Sequence, residues 1–310
     1  MKTCFLFPGQ GAQYPGMGKD LFAASATVRE LFGQASDATG LDLEALLFRG
    51  SAEDLQATNR TQIAVTLVNL AVARALAERG VEAHGYAGFS VGEYAALAAA
   101  GVIADGDLFR IVQARGEAME AASRGADTDG GPAGMAAVIG LPPERVTAVL
   151  AGVDGAWAAN FSSPAQVVLA GTAEGLAAAE QACTAAGARR FVALKVSGPF
   201  HSPLIESARV RFAEVVAGFT FHDPAHPVYA NVTGGRIASG AEAKRLCVEQ
   251  IVSSVQWVTE IHNLVEDGFE RFLETGPGKV LTGLMRGFDT GVQCTPVGTM
   301  EQVEAAAAAE

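Results

Sequence analysis

Residues 84 to 100, HGYAGFSVGEYAALAAA, pass from a short apolar run to a longer alanine-rich pattern at Ser90. The pattern predicts a strand over His84 to Phe89 and a helix over Val91 to Ala100, joined by a tight turn at the serine. The glycines two positions before and after Ser90 permit such a strained turn, which pushes the hydroxyl out of the sheet. The N–H groups at the start of the helix favour an oxyanion at the same point. Ser90 is therefore a candidate nucleophile, and a helix N-cap serine is the alternative.

The same alternation of short apolar runs and helical patterns continues on both sides of this turn. Cys4 to Phe7 predicts a buried strand that ends in the glycine-rich loop of residues 8 to 13. Ile63 to Arg79 is apolar at helical spacing over a wide face, which predicts a mostly buried helix. Strands that alternate with helices are typical of an α/β fold with a mainly parallel sheet. We predict that fold class for the main part of the chain.

A second unit is predicted after the Gly- and Asp-rich stretch of residues 123 to 134, which we interpret as a linker. Its elements follow the ferredoxin-like order βαββαβ. The predicted elements are strand Met135–Ile139, helix Pro143–Leu150, strands Trp157–Ser162 and Gln166–Ala170, helix Ala173–Ala186 and strand Arg190–Val196. We predict a large domain of residues 1–126 and 197–300, an inserted domain of residues 127–196, and a frayed or helical tail of residues 301–310 without a function.

The composition excludes several classes of protein. Of the 310 residues, 49% are hydrophobic and 18% are charged, which is typical of a globular protein. The net charge of −12 argues against general binding to nucleic acid or to an anionic membrane, so any basic docking patch must be local. The four cysteines are scattered without a CxxC pair, which argues against a zinc site and against a disulfide framework. No signal-peptide core or membrane-spanning apolar run occurs, and we expect a cytoplasmic protein that is not exported.

A nucleophilic serine needs a base, and His201 is the best placed of the five histidines. It lies in SGPFHSPL, where the chain returns from the inserted unit to the main one, so its side chain can reach a cleft between them. The alternative is an ordinary surface or core histidine. The other four lie in a strand, around a Pro-containing turn and in a predicted helix: His84, His222, His226 and His262.

Seven motifs, spread over almost the whole chain, carry a resemblance to a known family. They are FPGQGAQYPGMG, GFSVGEYAAL, QARGEAM, ANFSSPAQVVLAG, SGPFHSPL, QIVSSVQW and LETGPGKVLTGL. In this order they resemble the malonyl-CoA:acyl carrier protein transacylases and the related acyltransferases of polyketide synthases. The resemblance implies a hydrolase-like α/β domain with a ferredoxin-like insert. It also implies transfer of a malonyl group from malonyl-CoA to an acyl carrier protein, for fatty acid or polyketide synthesis, by a monomer without a cofactor or a metal.

The resemblance also implies the catalytic roles. Ser90 takes the acyl group as an ester and then passes it to the phosphopantetheine thiol of the carrier. His201 removes the Ser90 proton and is oriented by a carbonyl at Gln250, where a triad enzyme has a carboxylate. The backbone N–H groups of Gln10 and Val91 match the oxyanion hole of the family.

Four further residues correspond to the acyl pocket of the family. Arg115 matches the arginine that binds the free malonyl carboxylate, for which a guanidinium is well shaped; the alternative, from its own surroundings RIVQARGEAME, is an ordinary solvated helix arginine. Phe200 matches a position where Phe accompanies malonyl and Ser accompanies methylmalonyl, and the alternative is a core phenylalanine. Asn160 belongs to an ANxN pattern, but Ser162 replaces its second Asn.

Phe89 is the second departure, because the family usually has His there. Phenylalanine can neither titrate nor donate a hydrogen bond. Since the base is His201, we expect activity to be retained, with an effect on rate or acyl preference at most. Loss of acylation that Phe89→His restores would contradict this expectation.

The family's docking region for the acidic carrier corresponds to four basic residues: Arg189, Arg190, Lys279 and Arg286. The alternative is that they are simply solvated. Two other functions stay open from the sequence. An editing acyl hydrolase on the same fold is disfavoured by Arg115. A non-catalytic carrier-binding module is suggested by Phe89 and opposed by the presence of Ser90, His201, Arg115 and Gln250.

Overall fold

The computed structural model describes residues 1 to 309, and its larger part is built on a parallel sheet. The strands are β1 (Thr3–Phe7), β2 (Gly85–Gly88), β7 (Arg271–Thr275) and β8 (Cys294–Val297), in the order β2-β1-β7-β8. All three pairings are parallel, and every residue of the central strand β1 is buried. A parallel sheet buried on both faces needs apolar strands, which explains the run Cys4 to Phe7. The predicted fold class is confirmed.

Helices of this part cover the sheet. They are α1 (Lys19–Ala24), α2 (Ala26–Thr39), α3 (Leu43–Arg49), α4 (Thr58–Glu78), α5 (Gly92–Ala99), α6 (Asp105–Ser123), α9 (Glu206–Val216), α10 (Gly240–Glu249), α11 (Trp257–Glu266), α12 (Val280–Met285) and α13 (Met300–Ala308). Helix α4 contacts β7 as well as helices α2, α5 and α6, so it is covered on nearly every side. This explains its wide apolar face, in which residues 61 to 72 are all buried.

A separate antiparallel sheet is formed by residues 134 to 193. Its strands are β3 (Gly134–Ile139), β4 (Ala156–Ser163), β5 (Gln166–Gly171) and β6 (Arg190–Ala193), in the order β4-β5-β3-β6. Helices α7 (Pro143–Leu150) and α8 (Ala173–Ala185) pack on it and share an apolar cluster with it. The order of elements is the predicted βαββαβ, and every strand pair is antiparallel.

The last strand of this sheet is shorter than predicted. We expected Arg190–Val196, but β6 ends at Ala193. Beyond it the N–H of Val196 donates to the carbonyl of Leu194 at 3.0 Å, and this tight turn takes the chain off the sheet edge. The apolar residues that looked like strand continue into the cleft described below.

The alanine-rich end is helical and packed. Helix α13 begins at Thr299, whose side chain accepts a hydrogen bond from the N–H of Gln302. Val303 and Ala306 are buried, and α13 packs against α4. Of the two predicted forms of residues 301–310, the helical one is therefore observed as far as Ala308; Glu310, which the prediction included, lies outside the described residues. None of the helices formed by residues 1 to 309 has the length and apolar character needed to span a bilayer.

Candidate active site

The turn between β2 and α5 holds Ser90 in an unusual backbone conformation. Its φ of 53° is in the left-handed region, which costs a side-chain-bearing residue free energy and is typical of functional turns. A Cβ on Gly88 would lie 2.1 Å from the carbonyl carbon of Gly92, and a Cβ on Gly92 would lie 2.1 Å from the carbonyl oxygen of Phe7. Neither glycine can carry a side chain, so the GxSxG pattern is a steric requirement of this turn.

The serine hydroxyl contacts an imidazole from a distant part of the chain. Ser90 Oγ lies 2.7 Å from His201 Nε2, and His201 Nδ1 lies 2.8 Å from the backbone oxygen of Gln250. Because a carbonyl can only accept, Nδ1 carries the proton and Nε2 presents its lone pair to the serine. No carboxylate among residues 1 to 309 hydrogen-bonds to this ring, so the arrangement is a dyad. His201, at φ 56°, is the other non-glycine residue with positive φ in the described chain.

The imidazole is neutral at physiological pH. Burial and, to a smaller extent, the positive charge of Arg115 together lower the pKa of His201 from 6.5 to about 4, although the Gln250 carbonyl opposes the shift. His201 is 4% exposed. A neutral imidazole with its lone pair on a hydroxyl is a general base ready to act.

Arg115 is a buried cation without a carboxylate partner in the described chain. Its side chain is 1% exposed, and no carboxylate oxygen of residues 1 to 309 lies within 4.0 Å of it. Its Nη1 donates to Gln62 Oε1 at 2.7 Å, and its Nη2 donates to Gln250 Oε1 at 2.8 Å and to Ser90 Oγ at 3.2 Å. Burying an unpaired charge is costly, so this guanidinium is expected to bind an anion beside the serine.

Two free backbone N–H groups beside Ser90 indicate an oxyanion site. Gln10 and Val91 line the same cleft as Ser90, and neither N–H donates to another atom within residues 1 to 309. Val91 precedes the first residue of α5, where helix N–H groups are free. The Gly9 loop packs against the turn, since a Cβ on Gly9 would lie 2.4 Å from the carbonyl oxygen of Phe89. That contact places the Gln10 backbone next to Ser90.

The cleft lies between the two sheets and has an empty volume of about 540 Å³, including the part open to solvent. Its lining comes from both parts of the fold: Gln10, Gln62, Phe89, Ser90, Val91, Arg115, Met119, Met135, Asn160, Leu194, Val196, Phe200 and His201. Phe200 is 5% exposed, and Asn160 has a buried Oδ1 without a hydrogen-bond partner in the described chain. All the predicted catalytic and acyl-pocket residues are brought together except Gln250, which contacts the site from behind.

The Phe89 ring packs against protein on one side. It meets the Trp257 ring edge-on, with centroids 5.4 Å apart and an angle of 67° between the planes. Phe89 is half-buried and belongs to the apolar cluster that contains Trp257. The dyad and the Arg115 contacts do not involve this ring.

The four predicted docking residues are all exposed. Arg190 on β6 pairs with Ile139, Ile139 pairs with Gln166, and Gln166 pairs with Ser163 on β4, so these residues form one row across the sheet. A Cβ on Gly287, next to Arg286, would lie 3.5 Å from Ser163 Cβ. Arg190 and Ser163 are therefore three strand spacings apart, roughly 14 Å, and Arg286 lies beside the Ser163 edge of the sheet. Lys279 lies at the other end of α12 from Arg286.

Sequence reasoning missed the residues that hold the site in place. Gln62 is buried in α4 and accepts from Arg115, and Asn231 and Glu93 are buried behind the turn. One sequence feature could have indicated Gln62, because it is a long polar side chain in an otherwise apolar helix. Asn231 lies outside every helix and strand and left no signal.

Comparison with known proteins agrees with this geometry. The model of the acyl transferase domain family matches residues 4 to 308. The malonyl CoA-acyl carrier protein transacylase of Bacillus subtilis (strain 168) is 36% identical over 309 residues, which cover 98% of this chain and 96% of that protein. The protein of the same name from Escherichia coli (strain K12) is 40% identical over 286 residues, 91% of each chain.

A solved structure shows the same architecture. The malonyl-transacylase PlMCAT, in complex with the type II polyketide synthase acyl-carrier protein AntF, superimposes with a TM-score of 0.94 at 35% identity, and the match covers 100% of both chains. A family model that spans nearly the whole chain, and relatives of this identity and coverage, establish membership. The chain belongs to the acyl transferase domain family, the family of the malonyl-CoA:acyl carrier protein transacylases.

Proposed function

We propose that this protein transfers a malonyl group from malonyl-CoA to the phosphopantetheine thiol of an acyl carrier protein, through a malonyl ester on Ser90, in fatty acid or polyketide synthesis. The observation that carries the proposal is the buried Arg115 guanidinium, 3.2 Å from the Ser90 hydroxyl and without a carboxylate partner in the described chain. A malonyl group supplies the missing carboxylate at one end and the reacting carbonyl at the other. The relatives and the solved complex named above support the same substrate and partner.

In the first half-reaction, Ser90 is acylated. His201 Nε2 takes the hydroxyl proton while Oγ attacks the thioester carbonyl, and the oxyanion accepts hydrogen bonds from the N–H groups of Gln10 and Val91. One such donor typically contributes about 3 kcal/mol of transition-state stabilisation. The C–S bond then breaks, His201 returns the proton to the CoA sulfur, and the malonyl ester remains on Ser90.

The second half-reaction reverses these roles. His201 takes the proton of the carrier thiol as the sulfur attacks the ester carbonyl, and the same N–H groups stabilise the oxyanion. The bond to Ser90 Oγ breaks, His201 protonates the leaving alkoxide, and the malonyl group leaves as a thioester of the carrier. Arg115 holds the far carboxylate throughout, which fixes the ester toward the thiol and favours transfer over hydrolysis.

Phe200 supports a preference for malonyl over α-substituted acyl groups. Its ring lines the cleft next to His201 and is 5% exposed, so it occupies space that an α-methyl group would need. Discrimination by one methyl group is worth only about 1 to 3 kcal/mol. We therefore propose a preference and not an absolute selection.

We extend the proposal to the cofactor requirement, the oligomeric state and the cellular compartment of the protein. The reaction needs no cofactor, since malonyl-CoA enters as a substrate, and we propose a monomer in the cytoplasm. The thiols support a reducing compartment, because Cys4, Cys183, Cys247 and Cys294 are all free.

The pH profile reports the state of the base. We expect kcat/KM for acylation to be level from neutral pH to about pH 5 and to fall below about pH 4, because protonated His201 cannot accept the serine proton. The sign follows from the lowered pKa, which keeps the base neutral to more acid pH than a free imidazole. The rate at which a fluorophosphonate probe labels Ser90 should show the same acid limb. Because the probe has no malonyl carboxylate, this result would exclude protonation of the substrate as the cause of the limb. An acid limb near 6.5, with the protein still folded by circular dichroism, would contradict the expectation.

Docking of the acidic carrier is tested by charge reversal on the small sheet. Arg190→Glu should raise KM for the carrier about threefold to thirtyfold and leave acylation by malonyl-CoA unchanged, because Arg190 is exposed and lines no part of the cleft. Arg211→Glu is the matched control, since Arg211 is also exposed but lies on α9. Equal losses in both half-reactions, or equal effects of the two variants, would refute the docking role.

The transfer itself is tested by mass spectrometry of the carrier. Incubation of the protein with malonyl-CoA and the phosphopantetheine form of a carrier should add one malonyl group to the carrier. Turnover of malonyl-CoA to free malonate without carrier loading would identify a hydrolase instead. No reaction with either would identify a non-catalytic module.

A further inference from the structure

One buried side chain joins the two ends of the turn that carries Ser90. Asn231 is 0% exposed. Its Oδ1 accepts a hydrogen bond from the Ser90 N–H at 2.7 Å, and its Nδ2 donates to the Gly88 carbonyl at 2.7 Å. These partners lie on either side of Phe89, so a single amide group bridges the strained turn. Their chemistry also fixes the amide orientation, because an N–H can only donate and a carbonyl can only accept.

The local chain path explains how Asn231 reaches the turn. Val228 forms a parallel β-bridge with Tyr86 on β2, so the chain after it runs beside the strand toward the turn. The Tyr229 N–H donates to the Tyr86 carbonyl at 3.2 Å and continues this pairing. Asn231 follows two residues later, level with the end of β2.

Two buried carboxyl groups accept hydrogen bonds from Asn231 and fix its position. Glu260 Oε2 on α11 accepts the second hydrogen of Asn231 Nδ2 at 2.9 Å. Glu93 Oε2 on α5 accepts from the Asn231 backbone N–H at 2.9 Å and from Gln250 Nε2 at 2.7 Å. Gln250 is the residue whose carbonyl orients His201. The network therefore connects the nucleophile turn with the support of the base.

Burial shifts both carboxyl groups toward the uncharged form. Burial raises the pKa of Glu260 well above its usual range, and the nearby Glu93 raises it further. Burial also raises the pKa of Glu93 to about 7. A protonated Glu260 still accepts from Asn231, so a glutamine at this position can make the same hydrogen bond.

We propose that Asn231 is a positioning residue for the nucleophile: by bridging Gly88 and Ser90 while Glu260 holds its amide, it keeps the Ser90 hydroxyl on His201. This role rests on the proposed function, because Ser90 is the residue to which we assign the acyl ester. Asn231 does not line the cleft and touches no reacting atom.

The isosteric variant Asn231→Asp tests this role. The aspartate can still accept from the Ser90 N–H, but it cannot donate to the Gly88 carbonyl or to Glu260. We expect kcat for acylation to fall about 10- to 100-fold, as expected for a small displacement of a reacting group. KM for malonyl-CoA should change less than about threefold, because Arg115 keeps Gln62 and Gln250 as partners. Glu260→Gln should retain the rate within about twofold, since it preserves the acceptor.

The matched control is Asn263→Asp. Asn263 lies on α11, as Glu260 does, and donates one hydrogen bond to the Gly234 carbonyl at 2.8 Å. The change therefore removes a similar side-chain to backbone bond away from the turn, and the rate should not change. If Asn231→Asp does not fold, Asn231→Ala replaces it, and the same fall in rate is expected.

A second measurement separates this inference from the proposed function. The rate at which a fluorophosphonate probe labels Ser90 requires neither malonyl-CoA nor a carrier, and it should fall with kcat in Asn231→Asp. If the wild-type protein reacts with the probe but forms no malonyl ester, the proposed function is wrong, and the probe rates still test Asn231. The positioning role would be overturned if Asn231→Asp kept the wild-type kcat and probe-labelling rate, or if Asn263→Asp lowered both rates equally.

Discussion

His201→Ala should lower the rate of Ser90 acylation by roughly four to six orders of magnitude, which is the usual cost of losing the base of a serine nucleophile. His201 Nε2 is the acceptor 2.7 Å from the hydroxyl, and no other imidazole lines the cleft. Without it the serine proton must go to water. Binding of malonyl-CoA should change little, because Arg115 keeps its own partners. Single-turnover acylation followed by intact-mass spectrometry measures the rate.

His222→Ala is the control for this experiment. His222 is exposed, lies outside the cleft, and should be replaceable without loss of rate. If His201→Ala keeps more than about a tenth of the wild-type rate, the assignment of the base is wrong, because one hydrogen-bonded base contributes far more than tenfold.

Arg115→Ala should change which acyl group the protein accepts. Losing one partner of a buried ion pair costs about 3 to 5 kcal/mol, so acylation by malonyl-CoA should fall at least about 100-fold in kcat/KM. Acetyl-CoA has no carboxylate for Arg115 to bind, and its slow reaction should stay the same or become faster. The ratio of the two rates, measured side by side, is the readout.

The same variant links the acyl pocket to the base. Because the positive charge of Arg115 lowers the pKa of His201, its removal should move the acid limb of the pH profile upward. Arg115→Lys keeps the charge but has no planar fork, so it should leave the acid limb in place and still lose malonyl affinity. Equal losses for malonyl-CoA and acetyl-CoA in Arg115→Ala would show that the arginine supports the fold and does not select the substrate.

Local chemistry explains why much of the fold was predictable. Strand β1 is apolar from Cys4 to Phe7, α4 has a wide apolar face, and the turn at Ser90 is marked by two glycines that the packing requires. The six elements of the small sheet alternate clearly enough for the ferredoxin-like order to be predicted. The prediction failed at the end of β6, where a tight turn ends the strand early, and at the chain end the packing of α13 against α4 decided between the frayed and the helical form.

The site was predictable only in part, and for a physical reason. The sequence pattern of the turn predicts Ser90. In the sequence of its own helix, however, Arg115 is indistinguishable from a solvated arginine, and only the family resemblance indicates its role. Its burial depends on Gln62 and Gln250, which are 53 and 135 positions away in the chain. Asn231 is 141 positions from the serine that it holds. Contacts of this separation leave no periodic pattern in the sequence.

The most direct test is the mass of the intact protein after brief mixing with malonyl-CoA, followed by peptide mapping. We expect one added malonyl group on the peptide that contains Ser90 and none in Ser90→Ala. The group should be released when the phosphopantetheine form of a carrier is added. A malonyl group on another residue, or a Ser90→Ala protein that loads the carrier at the wild-type rate, would contradict this expectation.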